Sequence, residues 1–439
     1  MSNLTELLPS KNDYRNFRKS WSSDLVAGIT VGIVALPLAL AFGITTGAGA
    51  GAGLVTAIFA GLIAAIFGGS NYQVSGPTGA MTVVLVPIVA KYGVACLAPL
   101  GFIAGLIVIL LGITKMGTVI NRVPWPVMEG FTLGIALVIA LQQLPSALAV
   151  TSVNGGATVK TAWRTLKSAI DSGVNARALS IVVLTLIVKF VYPKLAHKLK
   201  IKIHIPASFL AIVVSTVVVL ALNIKIPKVG ALPKSIFANF TGPSLHVSGL
   251  GISALIIGAL EIAALAAIES LLSARVADQM GHIHEEGLRY KPNRELFGQG
   301  LASLVASMVG GIPATGAIAR TGVNIRSGAK TRLAAIVHSL FLIVVVLILS
   351  PLISKIPTAA LAGVLLGTSY RIASPANLRE ALRTTRLDSS ILLITAAIVL
   401  FVDLIWGIAI GTILYFTYKW LIKTKIARAA KLSRAAKRK

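Results

Sequence analysis

Apolar residues run in long blocks along this chain, such as Leu25–Gly43, Ser180–Val191, Ala207–Leu222 and Leu333–Ser350, with polar residues gathered between the blocks. About fourteen runs recur, near residues 22–44, 53–68, 77–90, 98–114, 125–145, 177–192, 206–223, 250–277, 297–310, 315–327, 331–353, 357–369, 389–404 and 406–423. A membrane-crossing helix needs roughly 20 mainly apolar residues. The pattern therefore predicts an all-α membrane protein of about 14 segments. No polar linker splits the chain, so one transmembrane domain is expected over residues 22–424, between an N-terminal segment, 1–21, and a basic tail, 425–439.

The runs beginning at Pro77 and Thr315 are among the shortest. Each follows a polar stretch broken by glycine and proline, Gln73-Val-Ser-Gly-Pro-Thr-Gly-Ala-Met-Thr82 and Gly311-Ile-Pro-Ala-Thr-Gly-Ala-Ile-Ala-Arg320. Irregular backbone at membrane depth is tolerated only where protein covers it or water reaches it. Two interrupted segments in matching positions of two halves point to a transporter's binding site. Thr78 and Thr315 are thus expected to begin two half-helices, offset by seven runs, so that the second half repeats the first upside down. Each helix start carries unpaired N–H groups and roughly half a positive charge. Two such ends meeting near the midplane form a site for a small anion. The plain alternative is a pair of structural breaks with no ligand.

Composition agrees with the pattern: 56% hydrophobic, 13% charged and a mean hydropathy of +0.86. A net charge of +27 invites a nucleic-acid partner, but the basic residues crowd into Lys11–Lys19, Lys194–Lys202, Arg275–Arg294, Arg326–Arg332, Arg371–Arg386 and Lys419–Lys439. That spacing follows the positive-inside rule. It places both termini in the cytoplasm, implies a lipid bilayer as partner and excludes nucleic acid. Cys96 is the only cysteine, so the chain can form no internal disulfide. The basic tail is expected to meet anionic lipid. His282, His284, Glu285 and Glu286 read as a solvated loop, Asp403 as a turn or cap, and Thr45–Gly53 as a tight connection.

Carboxylates inside apolar runs are functional candidates by default. Glu269, with Ser270 and Ser273 nearby, offers oxygen ligands to sodium or a site for a proton; no other cofactor is expected. Glu261 lies eight residues earlier and has no settled role. Arg320 either adds positive charge to the anion site or neutralises Glu269.

Five segments in order, Leu36–Phe42, Gln73–Ala80, Ile268–Ser273, Asn293–Gly300 and Gly310–Thr321, resemble the SulP anion transporters, solute carrier family 26. The resemblance covers nearly the whole chain. It implies seven-plus-seven inverted repeats, core and gate domains, an elevator-like motion and a homodimer. It maps the anion pocket to Leu38, Phe42, Thr78, Gly79, Ala80, Thr315, Gly316, Ala317, Ile318, Ala319 and Arg320, and the coupling carboxylate to Glu269. Many eukaryotic members carry Gln where Leu38 stands. Most members continue into a STAS domain, whereas this chain ends in Ala-Lys-Arg-Lys. The expected activity is secondary active transport of a small inorganic or carboxylate anion across the cytoplasmic membrane, by cation-coupled uptake of bicarbonate. Proton-coupled dicarboxylate or sulfate transport and a passive anion channel are the alternatives. No nucleophile–base pair lies in any run, so an enzyme is not expected.

Overall fold

The computed structural model describes residues 4–14, 16–120, 122–150, 158–200, 205–232, 251–281, 289–373, 378–379, 382–383 and 385–436. Helix α1 spans Phe17–Thr45 and α2 spans Ala50–Phe67, joined by the expected tight connection. A two-residue strand, β1 (Ser75–Gly76), leads into α3 (Gly79–Tyr92). Next come α4 (Leu97–Ile113), α5 (Gly117–Ile120), α6 (Trp125–Gln142), α7 (Leu144–Leu148) and α8 (Thr158–Asp171). They are followed by α9 (Ala176–Lys198), α10 (Ala207–Ala221), α11 (Ile252–Met280) and α12 (Pro292–Met308). Strand β2 (Thr315–Gly316) precedes α13 (Ile318–Arg326), α14 (Leu333–Ile353), α15 (Thr358–Ile372), α16 (Arg386–Phe401) and α17 (Leu404–Ala436).

Every predicted apolar run is occupied by a helix. Among the described residues, eight helices are long and apolar enough to cross a membrane, and α3 and α10 are shorter apolar helices. Helix α12, 17 residues long, falls outside both groups and buries Arg294, Glu295 and Gln299. Helix α8 lies between the predicted runs 125–145 and 177–192, where the apolar pattern marks no helix. Its buried Ala162, Thr165 and Ala169 recur every three or four residues, the spacing of a helix with one covered face. His282, His284, Glu285 and Glu286 lie outside the described residues, as do 437–439 of the basic tail.

Residues 1–121 with 139–369 form one compact unit, and 122–138 with 370–439 form another. In the second unit α16 packs on α17, and Asp403 accepts from the amides of Ile405 and Trp406, the cap its position suggests. In the first unit α12 packs mainly on α4 and α2, and α1 packs on α14 and α2. Small residues make this closeness feasible. A Cβ on Gly105 would lie 2.8 Å from the Gly300 carbonyl, and one on Gly300 would lie 2.6 Å from the Ile109 amide. With no water to drive helices together in lipid, such close backbone approach supplies much of the attraction.

Buried carboxylates fasten the two sequence halves of this unit. Asp24 of α1 accepts from the amides of Lys330 and Thr331, at 2.7 and 3.1 Å, ahead of α14. Glu295 of α12 accepts from the amides of Gly69 and Ser70, at 2.8 and 3.0 Å, behind α2. The N-terminal segment joins in: Asp13 pairs with Arg294 at 2.9 Å and Arg332 at 3.4 Å. Burial raises the Asp13 carboxyl, but the Ser10 amide and the guanidiniums of Arg332 and Arg294 outweigh it and hold it below its ordinary value.

A depressed carboxyl stabilises the fold above its unfolded pKa of about 3.9, and that contribution is lost as pH falls through the lower folded value. Asp13→Ala leaves two nearly buried guanidiniums without their carboxylate, at a cost of about 3 kcal/mol. Thermal unfolding in nanodiscs should show this loss at neutral pH. It should also show a flatter acid limb than the wild type; unchanged curves would mean that the N-terminal segment is not fastened to the unit.

Candidate functional site

The two lead-in segments cross. Strand β1 pairs antiparallel with β2, Ser75 opposite Gly316 and Gly76 opposite Thr315. The pairing brings the hydroxyls of Thr78 and Thr315 to 2.9 Å. The two half-helices are not built alike, however. Thr78 caps α3, its Oγ1 accepting from the Met81 amide. Thr315 does not begin a helix: it is extended, and α13 starts three residues later at Ile318. The reason is local bonding, since the Gly316 amide is drawn to Ser270 Oγ and the Ala317 amide to the Val74 carbonyl. The chain therefore stays extended through Ala317, whose carbonyl accepts the first helical bond, from Thr321.

Both starts keep bare donors. The amides of Gly79, Ala80, Ile318, Ala319 and Arg320 find no acceptor among the described residues. Ala319 is exposed and Ile318 half-buried, so the second start opens to solvent. Phe42 and Leu38, one helical turn apart on α1, are both buried. The Phe42 ring faces Gly79, where an added Cβ would lie 3.4 Å from it.

Glu269 stands where the half-helices meet. Its Oε2 accepts from Thr78 Oγ1 at 2.8 Å and from Thr315 Oγ1 at 2.7 Å. Among the described residues its Oε1 has no hydrogen-bond partner, and Glu269 keeps 9% of its surface exposed. Ser270 is spent on the Gly316 amide. Ser273 lies a turn further on, 3.3 Å from Thr321 Oγ1, which accepts from the Val74 amide. Ser273 thus joins the scaffold behind the crossing and not the group around Glu269. Glu261 is half-buried and takes no part in that group.

Arg320 is 2% exposed, and its side chain reaches back across the crossing, Nη2 donating to the Pro77 carbonyl at 2.8 Å. It makes no ion pair with Glu269, although the two charges act on each other at longer range. One guanidinium therefore fastens the first lead-in while facing the carboxylate between the two starts. Sequence reasoning missed Thr321 and His338. Nothing local marks Thr321. His338 carries the signal that exposed Glu269, a lone ionisable residue inside an apolar run.

The described residues contain no cluster of three or more His, Cys, Asp or Glu able to hold a metal ion. A single open carboxylate oxygen beside hydroxyls suits a weakly held cation that comes and goes.

The family model for the sulfate permease family matches residues 21–395. The chain is 36% identical over 405 residues to YvdB of Bacillus subtilis (strain 168), covering 91% of this chain and 74% of that protein. It is 32% identical over 420 residues to the bicarbonate transporter BicA of Picosynechococcus sp. (strain ATCC 27264 / PCC 7002 / PR-6), covering 92% of this chain and 70% of that protein. The solved transmembrane domain of a cyanobacterium bicarbonate transporter BicA superposes with a TM-score of 0.78 at 28% identity, over 91% of this chain and 97% of that one. The structure of SLC26A9 superposes with a TM-score of 0.80 at 19% identity, over 93% of this chain and 66% of that one, a likeness of fold.

Thr78→Val and Thr315→Val each take one donor from the Glu269 carboxylate at nearly constant volume. A lost bond to a charged group costs about 1.5–3 kcal/mol. Both variants should melt below the wild type, while Thr78→Ser and Thr315→Ser stay close to it. If the valine and serine variants melt alike, the hydroxyls are not what holds Glu269.

Proposed function

The chain belongs to the sulfate permease family, whose members are multi-pass anion transporters and not enzymes, and on that premise we propose that it is a sodium-coupled carrier of bicarbonate. The observation that carries this reading is Glu269, with one oxygen held by two threonines and the other left open beside two bare helix starts. The helix starts together offer roughly one positive charge. Arg320 gives its Nη2 hydrogen bond to Pro77 and lies within electrostatic reach of Glu269. These two fixed charges offset one another, so the helix ends face a monoanion. The amides of Gly79, Ala80, Ile318 and Ala319 would hold the anion against Phe42 and Leu38, with Thr78, Thr315, Gly316 and Ala317 shaping the crossing.

Sodium fits this pairing better than a proton. Bicarbonate with a proton is carbonic acid, in equilibrium with carbon dioxide, which crosses bilayers unaided, so proton coupling would store no gradient. Sodium at Glu269 Oε1, helped by hydroxyl oxygens, would enter together with bicarbonate, so that the pair adds no net charge to the crossing. The likeness to BicA supports the same substrate. In this reading residues 22–424 are the transporter domain, working as a homodimer in the cytoplasmic membrane with both termini inside. An elevator-like movement carries the crossing between the two faces.

One observation favours a second reading. Glu269 Oε2, Thr78 Oγ1 and Thr315 Oγ1 form a triangle of contacts at 2.8, 2.7 and 2.9 Å. Two hydroxyls supply two protons, and three hydrogen bonds need three. A protonated Glu269 would close the ring, and with its charge removed Arg320 would be left to balance a dianion such as sulfate or fumarate.

Uptake into proteoliposomes separates the two. An inward sodium gradient should drive accumulation of labelled bicarbonate, and Glu269→Gln should abolish accumulation while sparing bicarbonate exchange. Accumulation of sulfate or fumarate driven by a pH gradient, with bicarbonate indifferent to sodium, would overturn the proposal in favour of the second reading.

A further inference from the structure

The buried nitrogens that have no partner among the described residues include Arg320 Nη1 and His338 Nε2. His338 lies on α14 with no exposed surface, and its Nδ1 reaches only Ser339 Oγ, at 3.5 Å. An imidazole and a guanidinium nitrogen both left unpaired inside a protein are costly unless something sits between them. The backbone brings them to one place. A Cβ added to Gly76 would lie 2.6 Å from Arg320 Nη1 and 3.2 Å from the Ala57 backbone. A Cβ added to Gly61 would lie 3.3 Å from the Ser75 carbonyl oxygen, 2.7 Å from Ser339 Oγ and 3.6 Å from His338 Cε1. Ala57 and Gly61 are one turn apart on α2, and Ser75 and Gly76 share a peptide bond. Arg320 and His338 therefore flank the same peptide, under a strip of α2 that carries almost no side chain.

We propose that this space holds one structural water, which accepts from Arg320 Nη1 and donates to His338 Nε2 and to the Ser75 carbonyl. His338 is then a positioning residue for Arg320. A buried water needs two to four polar partners, and these three atoms supply them. In this bonding the ring is neutral with its proton on Nδ1: Ser339 Oγ, 3.5 Å away, gives its own proton to the Ala335 carbonyl and faces Nδ1 as an acceptor, which leaves Nε2 bare for the water. In that arrangement the guanidinium is held from two sides, by the Pro77 carbonyl and by the water, and its charge stays fixed opposite Glu269.

The proposal deepens the reading of Arg320 as the fixed counter-charge of Glu269, and its first test does not depend on transport. Solid-state 15N NMR of histidine-labelled protein in bilayers reads the ring of His338, assigned by its absence in His338→Gln. The expected result is a bare, hydrogen-bonded Nε2; a proton on Nε2, or a bare Nε2 without a hydrogen bond, overturns the proposal. In uptake assays His338→Leu should raise the KM for the transported anion about tenfold, the effect of one lost bond to a charged group. Its maximal rate should stay near the wild type, and His338→Gln, which keeps an acceptor, should restore the KM. An unchanged KM in His338→Leu, or an equal loss of maximal rate in both variants, contradicts the positioning role. If the wild type moves no bicarbonate, the function proposed above fails, and the NMR result still decides the fate of the water.

Discussion

Everything in this protein depends on two helix starts being held together inside a membrane. Left apart, each would expose unpaired amides to hydrocarbon, at a cost of several kcal/mol per group. The antiparallel pairing of Ser75–Gly76 with Thr315–Gly316 satisfies part of that need and aims the rest at one point. Glu269 ties the two lead-ins together, its Oε2 accepting from Thr78 of one and Thr315 of the other. In the proposed carrier the carboxylate that holds the crossing together would also take the coupling cation, so that stability and coupling would rest on one side chain.

Further from the crossing, the unit uses carboxylates in a different way. Asp24 and Glu295 each take two backbone amides from the other half of the sequence, and Asp13 holds two guanidiniums at once. All three have both carboxylate oxygens engaged by donors. Glu269 differs by keeping Oε1 open. Among buried acids in one unit, the distinction between a fastening and a site is thus the unfilled oxygen.

Much of this was legible in the sequence because a bilayer makes exceptions conspicuous. A polar, glycine-broken stretch at Gln73–Thr82 or Gly311–Arg320, and a glutamate between alanines at position 269, stand out against apolar runs. The asymmetry of the half-helices was not legible. Whether Thr315 caps a helix or continues a strand is set by Ser270 and Val74, far away in the chain. The role of Asp13 was hidden for the same reason, since its partner Arg294 lies 281 residues on. Helix α8 was missed because its covered face is made of alanine and threonine, which carry little hydropathy. His338 was readable by the rule that found Glu269, although its place beside the Ser75–Gly76 lead-in shows only in three dimensions.

The central claim is that anion and cation share one crossing, and linkage tests it most directly. If both bind there, sodium must tighten bicarbonate by the same factor that bicarbonate tightens sodium. Bicarbonate can be titrated into the purified protein in nanodiscs, in sodium and in an equal concentration of a large organic cation. The account predicts tighter binding in sodium and loss of that difference in Glu269→Gln. Equal affinity in both salts, with bicarbonate bound, would contradict it.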